Sequence, residues 1–173
     1  MMNFSFLSSK PEYALFSSAC IEAEKIYATA PAMCAVGCRK ALELAVKWVY
    51  SADKTMKIPY KDNAVDANTW GKLPFIIKLG NLAVHTERSV QPSDALASLR
   101  GLFEFIQWID YCYGADYEER TFDESLIPTQ RMVVDTKKIK EQESLLDEKE
   151  AEIEALRKQI EQLAARYTAE KEQ

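Results

Sequence analysis

Hydrophobic residues recur with a helical period along most of the first 115 residues of this chain. Each periodic stretch is long enough for a helix, and Gly and Pro are too sparse between them for a sheet-rich fold. Four helices with short connections predict an all-α helical bundle. The first predicted helix begins near Ser9–Glu12. The other three run from about Ala30 to Ser51, from 72–74 to His85, and from about Ser93 to Tyr113.

The start of the first helix is predicted from a capping pattern. Ser9 and Glu12 have the spacing of a capping box, and Pro11 suits a first helical turn. Leu15 and Phe16 then open the apolar face of that helix. The sequence therefore predicts a continuous helix from this point.

The second predicted helix has a thin polar stripe. Arg39, Lys40, Glu43 and Lys47 fall within an arc of roughly 100°, and most of the other positions are apolar. A helix with so narrow a polar face contacts neighbours on several sides. We expect it to be the central helix.

The third predicted helix carries a second polar stripe. Lys78, Asn81 and His85 are spaced i, i+3 and i+7, so they share one face, and His85 is the only histidine in the chain. Gly80 lies opposite this stripe, where a missing side chain lets another helix approach. The preceding residues, Asp53 to Trp70, show no clean period and are predicted to form a loop.

The two stripes allow two interpretations. If they face one another, Arg39 and Glu43 meet Lys78, Asn81 and His85 in a charged pocket that binds a ligand or partner, or that carries out acid–base chemistry. The alternative is a hydrogen-bonded polar seam that fixes helix register, which is the commoner role for a lone histidine. The residues alone leave both interpretations open.

The C-terminal segment has a different pattern. Apolar residues recur every seven positions and fill one heptad position. Leucines fill the complementary heptad position over two heptads, and the segment has no Gly or Pro. We predict a helical bundle at 1–115, a linker at 116–135 and a long coiled-coil helix at 136–173. The predicted coiled-coil interface consists of Ile139, Leu146, Ile153, Leu156, Ile160, Leu163 and Tyr167.

Composition and charge limit the functions available. The chain has 173 residues and a net charge of −5. The first 115 residues hold 12 basic and 11 acidic side chains, and the remainder holds 10 basic and 16 acidic ones, so bulk charge does not indicate nucleic-acid binding. Neither a secretory signal nor a run of about 18 apolar residues is present, so we expect a cytoplasmic protein without membrane contact.

No established catalytic or metal-binding motif is complete. The four cysteines are Cys20, Cys34, Cys38 and Cys112, without a C-x-x-C pair and with a single histidine in the chain, so buried free thiols are favoured over zinc. The sequence also lacks a Gly-rich phosphate loop, a G-x-S-x-G elbow and an H-E-x-x-H motif. No metal site is predicted.

Five stretches of the chain form a combination that is specific although each part alone is weak. They are Glu22–Lys25, Cys38–Tyr50, Ile76–His85, Leu102–Tyr111 and Tyr117–Asp123. In these stretches the chain resembles an uncharacterised helical domain at the N-termini of type I restriction enzyme R subunits, which are motor and nuclease subunits. The resemblance covers about Met2 to Pro128. Related chains carry about ten more residues between Asn63 and Ala64.

The resemblance implies a larger parent protein. In R subunits this domain is followed by a coiled coil, a restriction-type nuclease domain and a superfamily-two helicase motor. The present chain has the first two parts and ends in an open heptad pattern, so we expect a fragment of a longer chain. DNA is then the substrate of the parent, and ATP and Mg are cofactors of its missing domains only; no cofactor is expected in this fragment. The implied partners are other subunits of a restriction complex.

The same family resembles a distant branch of the HEPN superfamily, and so the expected fold is a HEPN-like four-helix bundle. HEPN ribonucleases place an arginine before a histidine, with four to six residues between the two. Counting back from His85, those positions hold Gly80, Leu79 and Lys78, of which only Lys78 is basic. A lysine does not supply the planar bidentate clamp that arginine offers to phosphate.

Three functional hypotheses follow. The first is a non-catalytic module of an R subunit, not itself an enzyme, that serves subunit docking or nucleic-acid positioning in an ATP-dependent deoxyribonuclease. The second is a HEPN-type ribonuclease that uses His85 with Lys78 or Arg39. The third is a purely structural module that self-associates through the coiled coil.

Overall fold

The protein is described by a computed structural model over residues 2–55, 65–85 and 89–129, and at positions 149, 154 and 158. These residues contain four α-helices and no strand, so the described chain is all-α, as predicted. The chain divides into two compact units, Met1–Gln130 and Arg131–Gln173. Within the described residues, no helix combines the length and the apolar character needed to cross a membrane.

Four helices pack around one core in the first unit. Helix α2 contacts α1, α3 and α4, and α3 also contacts α4. The prediction that the helix with the thin polar stripe is central is therefore confirmed. The helices are α1, Ser17–Ile26; α2, Pro31–Ala52; α3, Ala67–His85; and α4, Pro92–Tyr113.

The predicted limits of α2 and α4 are correct to within one residue. Pro31 and Pro92 occupy first helical turns, where a missing backbone N–H costs nothing. Gly114 ends α4, as predicted, and its N–H donates to the Asp110 carbonyl oxygen at 2.9 Å. Its backbone is extended rather than left-handed, and glycine is required there by space, because a Cβ would come within 2.5 Å of the Asp110 carbonyl oxygen.

The predicted start of the first helix is wrong. Two short 3₁₀ helices, Ser5–Ser9 and Pro11–Tyr13, precede α1, which begins only at Ser17. Ser9 does not cap a helix, because its hydroxyl donates to the Phe6 carbonyl oxygen at 2.8 Å. The tighter path buries Lys10 and leaves Leu15 48% exposed, which an amphipathic helix starting at Ser9 would not do.

Helix α3 begins earlier than predicted, inside the segment that was assigned to a loop. Asp66 Oδ1 accepts hydrogen bonds from the backbone N–H groups of Asn68 (3.1 Å) and Thr69 (3.0 Å). This is the geometry of a helix N-cap, and it adds a turn and a half before Lys72. The extra residues bring Trp70 into the helix.

Residues 116–129, which belong to the predicted linker, pack against the helices. Asp123 N–H donates to Asn3 Oδ1 at 2.8 Å, and Asn3 Nδ2 donates to the Asp123 carbonyl oxygen at 2.9 Å. The Asn3 side-chain amide also donates to Oε1 of the fully buried Glu24 at 2.7 Å. The Phe4 N–H donates to Oε2 of the same carboxylate at 3.0 Å. The N-terminal segment is thereby fixed between α1 and residue 123.

In the second unit, the described positions Lys149, Glu154 and Lys158 are helical. Lys158 Nζ lies 4.0 Å from Glu154 Oε1, and both side chains are exposed. The predicted coiled-coil interface residues, Ile139 to Tyr167, lie outside the described residues, and so that prediction is untested.

Candidate functional site

The α2 polar stripe forms an exposed ion pair. Arg39 Nε lies 2.8 Å from Glu43 Oε1, one helical turn away on the same helix. The side chain of Arg39 lies across Gly80 of α3, where a Cβ atom would come within 2.6 Å of the Arg39 Cβ and 3.1 Å of the Ala35 carbonyl oxygen. The predicted close approach at Gly80 is confirmed, and the helix that approaches is α2.

The α3 stripe does not join that ion pair. Lys78 and His85 are exposed and Asn81 is half-buried. Among the described residues, none of the three has a hydrogen bond or ion pair with Arg39 or Glu43. Gly80 faces α2 at the point of close approach, and the stripe lies opposite Gly80 on α3. A closed polar seam is therefore not formed, and a ligand for the five stripe residues stays a prediction.

Three residues from the two stripes do line one groove. It lies between the C-terminal half of α2 and the N-terminal half of α3, has a volume of about 670 Å³, and is almost wholly apolar inside. Glu43 and Lys78 lie at its rim, together with Lys47. The apolar lining consists of Leu42, Val46, Tyr50, Trp70, Leu73, Pro74 and Ile77.

The groove has a buried floor and exposed apolar walls. Leu42 and Leu73 are 2% and 5% exposed and belong to the core, whereas Trp70 and Ile77 are 38% and 41% exposed. Large apolar side chains that share one concave surface mark binding sites more often than scattered ones do. We call this surface the α2–α3 groove.

The rim of the groove is positively charged. Glu43 is already paired with Arg39, so its negative charge is locally balanced. Lys47 and Lys78 make no ion pair with any described residue. The charge that is left uncompensated at the rim therefore comes from two ammonium groups.

The buried charges elsewhere are satisfied and structural. Asp110, which is fully buried on α4, accepts from Lys10 Nζ, from the Tyr13 hydroxyl at 3.0 Å and from Arg120 Nη1 at 3.5 Å. Lys10 also donates to the Asp116 carbonyl oxygen at 3.0 Å. Burial and the nearby Asp110 raise the pKa of Tyr13, so its hydroxyl stays a hydrogen-bond donor. We call Lys10, Tyr13, Asp110 and Arg120 the Asp110 cluster.

The cysteines form no reactive or metal-binding arrangement. Cys20, Cys34 and Cys38 are buried free thiols, as predicted, but Cys112 is exposed. Burial raises the pKa of Cys20. The pKa of Cys38 is raised mainly by a hydrogen bond with Cys34 and also by burial. High thiol pKa values suppress nucleophilicity. In the described part of the chain, no group of three or more His, Cys, Asp or Glu side chains is placed to hold a metal ion.

The sequence does not predict the groove, because Trp70, the first residue of its α3 wall, falls in the predicted loop. Trp70 and Leu73 lie before or at the predicted helix start, so their shared face with Ile77 was not recognised. Asp66 followed by Thr69 has N-cap spacing and would have placed Trp70, Leu73, Ile77 on one helical face.

Comparisons of the chain with protein-family models, with curated proteins and with solved structures find no match. The functional assignment depends on the groove and on the sequence resemblance.

Proposed function

We propose that this chain is a non-catalytic, HEPN-like N-terminal module of a cytoplasmic type I restriction-modification R subunit, and that it docks the R subunit onto other subunits of the complex. The parent would be an ATP-dependent DNA translocase and endonuclease, with ATP and Mg bound by domains outside this chain. A long coiled-coil helix would follow the bundle. The sequence resemblance over about Met2 to Pro128 motivates the parent assignment.

The observation that carries the docking role is the α2–α3 groove. A solvent-facing apolar groove of about 670 Å³ is a cost to a protein that leaves it open, because exposed Trp70 and Ile77 remain hydrated. A partner that covers those side chains gains the corresponding hydrophobic free energy. Docking therefore fits the surface better than positioning of nucleic acid, for which a broad basic patch is needed.

The ribonuclease alternative receives less support from the geometry. Lys78 stands in a position where HEPN ribonucleases carry an arginine before the histidine, and a lysine lacks the planar bidentate clamp that arginine offers to phosphate. Arg39 is engaged by Glu43 rather than by Lys78 or His85. Acid–base catalysis on one phosphodiester needs its groups within hydrogen-bond reach of the reacting atoms.

Docking is tested by mixing the purified 173-residue chain with the purified remaining subunits of the restriction complex and measuring co-elution on a sizing column. We expect co-elution, and we expect excess chain to compete with the intact R subunit for the same site. Absence of both, or a gene that ends at Gln173 without nuclease and helicase segments, overturns the proposal.

A parallel assay separates docking from ribonuclease activity. The chain and its His85→Ala variant are incubated with labelled RNA. We expect equal, background cleavage in both samples. Cleavage that His85→Ala abolishes would establish the ribonuclease hypothesis instead.

A further inference from the structure

The shape of the α2–α3 groove sets the shape of its occupant. Its α2 wall runs from Leu42 to Tyr50 and its α3 wall from Trp70 to Lys78, so each wall is roughly 12 Å, or about two helical turns, long. The helices are antiparallel here, because Gly80 meets Ala35 and the groove pairs later α2 residues with earlier α3 residues.

An open apolar groove between two helices is a common binding site for a third helix. Side chains of the incoming helix lie between the ridges of the two walls, at interaxial distances of about 8–10 Å. Over two turns, such a helix presents apolar anchors at i, i+3 or i+4, and i+7. An extended peptide would gain less, because the described residues beside the groove offer no free strand edge for backbone hydrogen bonds.

The rim sets the charge of the occupant. Lys47 lies on the α2 side and Lys78 on the α3 side, and both lack an acidic partner among the described residues. Glu43 does not oppose them, because Arg39 already balances its charge. A helix with acidic residues on both flanks of its apolar stripe would therefore place a carboxylate near each ammonium group, and a helix with basic flanks would be repelled.

We infer that the α2–α3 groove binds one amphipathic helix of another subunit, about two turns long at the contact, with large apolar anchors and acidic flanks. This inference rests on the proposed docking function and specifies the partner. Apolar anchors supply the affinity, and Lys47 and Lys78 supply selectivity for the acidic helix.

The test uses two synthetic peptides of about 15 residues that share leucines at i, i+3 and i+7 and alanine fillers. One peptide carries glutamates beside the leucines, and the other carries lysines at the same positions. Each is fluorescein-labelled and titrated with the 173-residue chain in a fluorescence anisotropy assay. We expect the acidic peptide to bind about tenfold tighter, with the difference shrinking at about 0.5 M salt.

Two matched apolar variants test the location. Ile77 and Phe75 are 41% and 40% exposed on the same helix, but only Ile77 lines the groove. We expect Ile77→Asp to weaken binding of the acidic peptide by about tenfold or more and Phe75→Asp to leave it unchanged. Circular dichroism controls for folding. Equal effects of the two variants would overturn the inference.

Two matched charge variants test the rim. Lys78→Glu changes the groove, and Lys40→Glu changes the net charge equally on an exposed part of α2 outside the groove. We expect Lys78→Glu to reduce the preference for the acidic peptide and Lys40→Glu to leave it intact. Equal or stronger binding of the basic peptide to the unmodified chain contradicts the inference.

These experiments also distinguish an acidic helix from other occupants of the groove, and they test the groove separately from the restriction-subunit proposal. If the chain self-associates and Ile77→Asp alone disperses it, a second copy fills the groove and the inference is wrong. If the acidic peptide fails to bind while the restriction subunits still co-elute, the inference fails and the docking function stands. If the peptide binds as expected without co-elution, the groove assignment stands and the restriction assignment fails.

Discussion

At the scale of single residues, one buried carboxylate links distant parts of the chain. Asp110 joins Lys10 from the N-terminal segment with Arg120 from the segment after α4, so residues about 100 positions apart in the chain meet at one side chain. A buried carboxylate is strongly unfavourable when its cationic partners are removed, and a buried cation is equally unfavourable when the carboxylate is removed. Asp110 therefore couples the two ends of the first unit.

We expect Asp110→Asn to lower the free energy of unfolding by about 3 kcal/mol, because it leaves the Lys10 ammonium buried without a counter-ion. Urea denaturation followed by circular dichroism measures the change. Glu104→Gln is the matched control, since Glu104 lies on the same helix and pairs with the partly exposed Lys72. Its expected effect is below about 1 kcal/mol, and equal losses in the two variants would contradict the assignment.

Replacing Gly80 with alanine is expected to have the opposite effect on stability from replacing Gly71, which lies on the same helix. A Cβ at Gly80 meets Arg39 Cβ at 2.6 Å and the Ala35 carbonyl oxygen at 3.1 Å, whereas a Cβ at Gly71 has nothing within 4 Å. Overpacking costs about 1–3 kcal/mol, and the helix propensity gained from alanine is about 1 kcal/mol.

Gly80→Ala should therefore destabilise the protein by up to about 2 kcal/mol, and Gly71→Ala should stabilise it by about 0.5–1 kcal/mol. The midpoint of urea unfolding for both variants checks the difference in sign. A stabilised Gly80→Ala protein would show that α2 and α3 are not in close contact at this position.

At the scale of elements, the sequence predicted what local patterns control. Pro31 and Pro92 mark the starts of α2 and α4, and the apolar period fixes their length, so both helices were located to within one residue. The start of α1 failed because its capping pattern competes with a tertiary interaction. Lys10 turns inward to Asp110, and the chain takes a 3₁₀ path that no local rule indicates.

The candidate site divides in the same way. The close approach at Gly80 was predictable, because Gly80 lies opposite the polar stripe, on the face that a packed helix turns to its neighbours. The α2–α3 groove was not, because exposure of Trp70 and Ile77 depends on which helices fail to cover them. That failure is a property of the packed set of helices and not of any one helix.

Helix α3 owes its first turns to Asp66, and this cap yields a prediction with a pH signature. Asp66→Ala should cost about 1 kcal/mol at neutral pH, because the N–H groups of Asn68 and Thr69 lose their acceptor. Asp66→Asn keeps an acceptor and is expected to cost less than about half as much.

The pH dependence of the cap has a definite sign. Hydrogen bonds from the Thr69 hydroxyl and N–H lower the pKa of Asp66 below its ordinary value. Its contribution is therefore present above the ordinary pKa of about 4 and is lost as the pH falls through the lowered folded-state value. We expect the deficit of Asp66→Ala, measured by urea unfolding, to be full at neutral pH and to shrink in strong acid. A deficit independent of pH would exclude a charged cap.

At the scale of the whole molecule, the first unit combines paired buried carboxylates with an exposed apolar groove. Its buried carboxylates, Glu24 and Asp110, each have several donors, and its thiols are buried apart from Cys112. Of the large apolar side chains exposed in the described residues, Trp70 and Ile77 share one concave surface, the α2–α3 groove. The paired buried carboxylates and the apolar α2–α3 groove together are the physical basis on which we propose docking rather than catalysis.

The heptad pattern of the second unit adds a prediction about self-association. A lone helix with Leu156 and Leu163 on one stripe leaves that stripe hydrated, and pairing with a copy buries it. Light scattering on the 173-residue chain should therefore give a multiple of 19.7 kDa that falls with dilution. Leu156→Glu combined with Leu163→Glu should give the monomer mass, because like charges would face each other across the pairing interface. Glu154→Ala with Lys158→Ala, at exposed helical positions outside the stripe, is the matched control and should keep the wild-type mass. A wild-type chain that is monomeric at every concentration would remove self-association from the functions of this segment and leave the groove as the chain's route to a partner.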